Sequence, residues 1–320
     1  MPSKLPDYAI EATQLDKVYK AEGKGESKHA LKSIDLKVPR GSVFGLLGPN
    51  GAGKSTFINI LAGMVIKTGG TAKIWGIDID QDARNARGAI GIVPQEISLD
   101  AFFTPREILN VQSGLYGVRK AERKTDELLE LVGLGDKADA YSRTLSGGMK
   151  RRMMVAKAMV HSPPVLILDE PTAGVDIELR KALWDSVRAL NEQGVTIVLT
   201  THYLEEAEEL CDRIAIINHG EIVANEEKSV LLKQLDLKDM FMTFDQSLKE
   251  IPAALKPHAP EQLDENTVKI SYHSNQVAVR DILEQISAAG LTLQDIRTKE
   301  SDLEDIFLDF TKDKSAPLAS

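Results

Sequence analysis

Cysteine is almost missing from this chain: Cys211 is its one instance in 320 residues, so no internal disulfide can form, and the composition fits a reducing compartment. As a small apolar residue in a helical stretch, Cys211 reads as a packing residue. Long apolar runs are missing too. No window approaches the roughly 20 apolar residues that cross a bilayer. The longest runs, Val165 to Leu168 and Val195 to Leu199, are the size of strands. If the protein works at a membrane, something else must cross it. The opening MPSKLPDYAIEATQ has no apolar core that could serve as a signal peptide, which predicts a cytosolic protein. An excess of basic residues is also lacking: Lys and Arg number 39 against 48 Asp and Glu, a formal charge of -9. That balance disfavours gripping a nucleic-acid backbone. There is no long internal repeat and no low-complexity tract, and only the tail Lys312 to Ser320 reads as frayed.

What is present is the balance of a globular protein, with 42% hydrophobic and 27% charged residues and enough length for one large or two ordinary domains. Tyr8 to Val18 and Ile34 to Val38 alternate apolar and polar residues around a Gly- and Lys-rich loop, predicting antiparallel strands. Ser42 to Leu47 is a continuous apolar strand that runs into a glycine-rich turn, and Ser55 to Met64 reads as the helix after it. Gly70 to Ile77 and Ala89 to Val93 add strands. Thr104 to Val160 is helical almost throughout, with Thr104-Pro105 as a helix start. Strands over Val165 to Leu168 and Val195 to Thr200 then alternate with helices over Ile177 to Gln193 and Leu204 to Cys211, which implies a parallel sheet covered on both faces. Arg213 to Val223 folds as a strand pair about His219-Gly220, and Ser229 to Leu237 as a helix. Beyond Met240, strand-like MFMTF, TVKISY and LTLQDIRTK alternate with helical SLKEIPAAL, VRDILEQISAAG and LEDIFLDF, a small α+β appendage.

Gly48-Pro49-Asn50-Gly51-Ala52-Gly53-Lys54-Ser55-Thr56 satisfies G-x-x-x-x-G-K-[ST] between a strand and a helix, the P-loop pattern. Glycines let successive N–H groups turn toward phosphate oxygens, and the helix N-terminus adds positive potential. Lys54 reaches the terminal phosphates and Ser55 can ligate magnesium. The strand Val165 to Leu168 ends in Asp169-Glu170-Pro171, at the carboxyl edge of the sheet where phosphates sit. Asp169 suits a magnesium ion, and Glu170, projecting differently, suits a general base for an attacking water.

Leu145-Ser146-Gly147-Gly148-Met149 precedes the run MKRRMMVAKAMV. By itself it reads as an N-cap serine with flexible glycines and a solvated basic face. Standing between the P-loop and LILDEP, it resembles the signature sequence of the ABC ATPases, and the resemblance covers roughly residues 8 to 225. Position by position it implies that Tyr19 stacks on adenine, that Gln95 in IVPQE touches magnesium and relays contact to a membrane domain, and that His202 meets the γ-phosphate. It implies that Asp176 in AGVD runs along a dimer interface. Ser146, Gly147 and Gly148 would be offered to the partner's γ-phosphate, so that one chain holds half of each site and a lone monomer hydrolyses poorly. The other histidines, His29, His161, His219, His258 and His273, read as structural. Met149 stands where the family most often has Gln, and Ala173-Gly174-Val175 where Ser-Ala-Leu is frequent.

The implied fold is α/β. A P-loop NTPase core of the ABC ATPase kind occupies residues 1–235, with an antiparallel β-subdomain and a helical subdomain inserted at about 100–162, and a small C-terminal α+β domain occupies 236–320. LLGPNGAGKST, LSGGMKRR, LILDEPTAGVD and LTTHYLEEAE together resemble the ATPase subunits of ABC-2-type exporters, which implies ATP and Mg2+ as ligands and hydrolysis through Glu170. The partners implied are a second copy of the chain and separate multi-spanning permease subunits, at the cytoplasmic face of the cell membrane. A soluble ABC ATPase acting on ribosomes or DNA is the rival. Against it stand the single P-loop and the spacing of about 90 residues from Lys54 to Ser146, too short for a long coiled-coil arm beside a helical subdomain. A kinase or GTPase sharing only the P-loop leaves LSGG and His202 unexplained.

Overall fold

The computed structural model describes residues 5–20, 27–172, 177–234, 237–248, 250–258, 260–273, 277–300 and 303–311. The chain divides after Glu227 into two compact units. In the first, β1 (Tyr8–Tyr19) and β2 (Lys28–Pro39) pair antiparallel, with Ala12 opposite Leu36. Their alternating apolar side chains, among them Ile10, Leu15, Ile34 and Val38, are buried. β3 (Val43–Leu47) is buried at every position, as a central parallel strand is, and leads into α1 (Lys54–Leu61). β4 (Gly69–Ile74) returns beside β1. It turns through Trp75 and Gly76, both at positive φ, into β5 (Ile77–Asp78). A short polar helix α2 (Ala83–Gly88), capped by the Asp82 carboxylate on Asn85 N–H, precedes β6 (Ile90–Val93).

The helical region is three helices rather than one continuous stretch: α3 (Pro105–Leu115), α4 (Thr125–Leu131) and α5 (Gly147–Ala158). α3 starts on a capping box between Thr104 and Glu107, with Pro105 in its first turn. α3 and α4 stop where Gly117 and Gly133 take left-handed φ of 77° and 62° just past their last turns. β7 (Val165–Asp169), α6 (Ile177–Glu192), β8 (Thr196–Thr201), α7 (Leu204–Leu210), β9 (Arg213–Asn218) and β10 (Glu221–Glu227) complete the unit.

Two sheets result: a four-stranded antiparallel sheet ordered β2-β1-β4-β5, and a six-stranded sheet ordered β10-β9-β3-β8-β7-β6 that is parallel except for β10. One apolar core joins them, with Ile10, Leu31 and Ile74 from the first sheet, Phe44, Ile167 and Val198 from the second, and Phe57 and Ile60 from α1. No helix among the described residues is long and apolar enough to cross a membrane.

The second unit runs α8 (Lys228–Gln234), β11 (Leu237–Phe244), β12 (Glu261–Gln262), β13 (Thr267–His273), α9 (Val279–Ala288), β14 (Leu293–Glu300) and α10 (Leu303–Thr311). Its antiparallel sheet, ordered β12-β13-β11-β14, buries Met240, Phe244 and Ile270 against Ile282 and Ile286 of α9. The helix expected over SLKEIPAAL is replaced by a short 3-10 segment, Ala253–His258. Pro252 supplies no N–H and disfavours helical φ/ψ at Ile251, so a helix cannot run through it.

Two outcomes follow from this packing. At Gly70, φ is 74° and an added Cβ would lie 2.0 Å from Gln14 O, whereas Gly41 has φ of 75° and open space. Gly41→Ala therefore carries backbone strain of about 1–2 kcal/mol alone, and Gly70→Ala a markedly larger loss in chemical denaturation; equal losses would show that the close approach of β4 to β1 is not strictly required. His161 stacks on Tyr116 with ring centroids 3.8 Å apart, its Nε2 is 3.1 Å from Ile90 O, and its Nδ1 is buried with no partner among the described residues. Burial holds its pKa below the usual 6.5, opposed by that backbone hydrogen bond. The folded state thus prefers neutral His161, and stability is lost as pH falls through 6.5 toward the lower folded value. His161→Phe, which keeps the stacking, is expected to show a smaller drop in melting temperature between pH 7 and pH 5 than the parent; an unchanged drop would remove His161 as a source.

Candidate active site

β3 ends at Leu47, and the chain passes through a glycine loop into α1. Gly48 runs so close to β9 that a Cβ would lie 2.3 Å from Ile217 O, and Gly53, at φ 121°, so close to β2 that one would lie 2.8 Å from Ala30 O. Larger residues are excluded at both. Gly51, at φ 81°, has open space where its side chain would be. Gly53 is the N-cap of α1 and brings no capping side chain, so the first N–H groups of the helix remain for an anion. Lys54, 5% exposed, folds back over the loop and donates to Gly48 O at 2.6 Å and Pro49 O at 3.3 Å.

β7 delivers Asp169 and Glu170 beside this loop. The Thr200 hydroxyl, on β8, donates to Asp169 Oδ1 at 2.5 Å and accepts from Glu170 N at 3.1 Å, while Glu170 N also donates to Thr200 O at 3.0 Å. Glu170 sits at φ 46°, a left-handed conformation that costs a non-glycine residue about 1–2 kcal/mol. So turned, its carboxylate meets three side chains. Gln95 Nε2 donates to Oε2 at 3.1 Å, His202 Nδ1 lies 3.3 Å from the same oxygen, and Lys54 Nζ lies 3.8 Å from Oε1. Burial holds the Lys54 ammonium below its ordinary pKa, against the opposing charges of Glu170 and Asp169. Burial likewise pushes the Asp169 carboxyl up; the Thr200 hydroxyl and Lys54 oppose that shift and Glu170 adds to it.

Tyr19, Asn50, Gly51, Gly53, Lys54, Ser55, Thr56, Gln95, Glu170 and His202 line one cavity of about 450 Å³, together with Lys28 and Ala30. Gly48 and Pro49 support it through Lys54, Ala52 is buried behind the loop, and Asp169 sits against Thr200. Ser146, Gly147 and Gly148 are not among the lining residues. They open α5, where the Ser146 hydroxyl accepts from Met149 N at 3.2 Å, a main-chain bond indifferent to the side chain at position 149. Asp176 lies outside the described residues.

Chemically, an uncapped helix start and Lys54 suit a polyanion, the hydroxyl of Ser55 with the oxygens of Asp169 and Gln95 suits a hard cation, and Glu170 can accept a proton. Sequence reasoning passed over Lys28, Thr200 and Arg151. Lys28 lines the cavity, and a lysine closing the Gly- and Lys-rich loop is its only signal. Arg151 is buried rather than part of a solvated basic face, and it donates to Pro94 O at 3.2 Å and Gln95 O at 2.7 Å, tying α5 to the segment that carries Gln95. Thr200→Val keeps the shape and removes the hydroxyl between Asp169 and Glu170. It should lower unfolding free energy by about 1–3 kcal/mol, and an unchanged value would show that the bridge contributes nothing.

Comparison with known proteins agrees with this geometry. The family model described as ABC transporter matches residues 31–173. The chain is 36% identical over 311 residues to a linearmycin resistance ATP-binding protein of Bacillus subtilis, covering 93% of this chain and 97% of that one. It is 36% identical over 305 residues to a Nod factor export ATP-binding protein of Rhizobium etli, covering 95% and 93%, and 37% identical over 318 residues to a daunorubicin resistance ATP-binding protein of Streptomyces coeruleorubidus, covering 96% of each. Among solved structures, an ATP-binding subunit of an ABC transporter superposes with a TM-score of 0.62 at 29% identity, covering 71% of this chain and 93% of its own. A dimeric ATP-binding cassette in a post-hydrolysis state, bound to ADP and Pi, superposes with a TM-score of 0.60 at 28% identity, covering 68% and 98%. With a P-loop, Glu170 and His202 around one cavity, Asp169 next to Glu170, and such likeness along nearly its whole length, the chain belongs to the ATP-binding subunits of ABC transporters, ATPases of the P-loop NTPase fold.

Proposed function

We propose that this protein is the ATP-hydrolysing subunit of an ABC-2-type exporter, acting as a pair of copies on separate membrane permeases at the cytoplasmic face of the cell membrane. The observation that carries the reading is the convergence of Lys54, Gln95 and His202 on the Glu170 carboxylate inside the P-loop cavity. Tyr19, 38% exposed at the mouth, stacks on adenine, and the loop from Gly48 to Thr56 holds the phosphates. Ser55, Gln95 and Asp169 would hold a magnesium ion, which would neutralise charge on the transferred phosphate.

Glu170 takes the proton of the attacking water, His202 and Lys54 bear on the developing phosphate charge, and Gln95 links the water site to the helical region. Ser146, Gly147 and the start of α5 then serve the nucleotide of the second copy. Their exposure outside this chain's own cavity supports that reading, as does the dimeric state of the structural relative. Asp176 would run along the same interface.

Support for a permease comes from the surface of the helical region. Phe102 is 73% exposed, Val111 55% and Leu115 77%, and Gln112 and Tyr116, the sequence neighbours of Val111 and Leu115, line a groove with Pro94 and Lys157. An apolar surface of this kind suits a protein partner, and the net charge of -9 argues against nucleic acid. The resistance and export relatives carry the direction of transport.

Glu170→Gln tests this reading. It should cut turnover by about 10²–10⁴-fold, the loss expected for a general base, while ATP with magnesium traps a dimer on size exclusion. Affinity capture of that variant from gently solubilised membranes, followed by mass spectrometry, should return a multi-spanning membrane protein in stoichiometric amount. Recovery of ribosomal or DNA-repair proteins without one would move the protein to the soluble ABC ATPases.

A further inference from the structure

β6 is an outer strand of the six-stranded sheet and pairs with β7 on one side only. Its ladder ends where Val93 stands opposite Leu168. Pro94, which has no N–H to donate, closes the strand, and Gln95 follows on exposed chain outside any helix or strand. Chain released from a sheet edge in this way has little of its own to fix where it points. Gln95 is nonetheless held closely, for its Nε2 donates to Glu170 Oε2 at 3.1 Å.

What fastens this segment is α5. Arg151, 5% exposed, donates from Nη1 to Gln95 O at 2.7 Å and to Pro94 O at 3.2 Å, so the two carbonyls just past the ladder are both met by one charged donor. Further along the same helix, Gly91 of β6 comes so close that a Cβ would lie 2.4 Å from Ala158 O. From Arg151 to Ala158 the helix rises about 10 Å, and from Gly91 to Pro94 and Gln95 extended chain spans about 10–13 Å. The lengths match, so α5 lies along β6 and the residues after it. Just beyond the helix, His161 Nε2 is 3.1 Å from Ile90 O at the other end of the strand. α5 therefore splints β6 at both ends, and Arg151 is the fastening nearer the site.

We propose that Arg151 is a positioning residue of the ATPase. Its guanidinium fixes the backbone of Pro94 and Gln95 and thereby holds the Gln95 amide on Glu170. This rests on reading Glu170 as the base. Gln95 and Glu170 line the nucleotide cavity and Arg151 does not, so its loss acts on turnover rather than on nucleotide binding. Misplacing a group at the reacting centre by an ångström is enough to cost up to ~100-fold.

The test compares Arg151→Met, Arg151→Lys, Gln95→Ala, the Gln95→Ala, Arg151→Met double variant and Glu170→Gln in the full chain, reading kcat, KM for ATP and melting temperature with magnesium present. Arg151→Met should lose about 10–100-fold in kcat per folded molecule, with KM changed by less than about threefold. Arg151→Lys keeps a charged donor of shorter reach and should lose only about 3–10-fold. The double variant should be little slower than Gln95→Ala alone, because Arg151 acts through Gln95. Turnover at the parental rate in Arg151→Met, or losses that multiply in the double variant, overturns the proposal; multiplied losses are what a separate, merely structural role of Arg151 gives. If Arg151→Met does not fold, Arg151→Lys decides, alone and combined with Gln95→Ala, by the same readings. Should Glu170→Gln keep its turnover, the reading beneath the proposal falls and the proposal with it; should Glu170→Gln stop turnover while Arg151→Met runs at the parental rate, only the role of Arg151 falls.

Discussion

The parallel register of β7 against β8, in which Asp169 stands opposite Thr200, is the constraint on which the site depends. A parallel ladder fixes where neighbouring strands end, and here they end together at one edge of the sheet. Each of four adjacent strands releases a site residue there. β3 runs into the glycine loop and Lys54, β8 into His202, β7 into Glu170 and β6 into the segment of Gln95. Slipping β7 by one residue would turn Asp169 and Glu170 to opposite faces and leave the Thr200 hydroxyl with no acid to meet. The left-handed backbone at Glu170 belongs to the same arrangement: the bond from its N–H to Thr200 holds it in a conformation the chain would not choose alone.

Around this edge, burial and charge oppose each other. Lys54 is pulled toward its neutral form by burial while two acids favour its charge, and Asp169 is pulled toward its neutral form while Lys54 favours ionisation. None of these groups is relaxed, which is common where a fold places chemistry rather than stability. The loop glycines show the same priority. Gly48 and Gly53 are dictated by backbone atoms pressed against them, whereas Gly51 has space beyond it. Two glycines there serve packing and the third keeps the cradle open.

Local motifs were legible because their chemistry is local. The P-loop needs its glycines, lysine and hydroxyl within nine consecutive residues, so Gly48 to Thr56 can be read without any fold. The capping box at Thr104 and the buried strand before Asp169 are equally short-range. Misreadings arose where distant contacts decide. Arg151 looked like one of several solvated basic residues, since nothing within its own helix shows that the carbonyls of Pro94 and Gln95 await it. The helix expected at SLKEIPAAL ignored Pro252, a local signal that was present. α2 was passed over because six residues with only two alanines as apolar positions carry no apolar period, although its Asp82 cap was visible.

By itself the sequence determined the chemistry available and its order along the chain: a phosphate loop, a pair of acids, a glutamine, a histidine and a capped glycine-rich helix start. It also determined the alternation of strand and helix that makes a parallel sheet the economical way to bury the apolar runs. Only the tertiary structure decided that Lys54, Gln95 and His202 all meet Glu170, that Lys28 joins them in one cavity, and that Ser146 does not. The reason is geometric. Strand order is set by packing between elements far apart in the chain, and a side chain 116 positions from another becomes its neighbour only when the sheet places their strand ends side by side, as it does for Lys54 and Glu170.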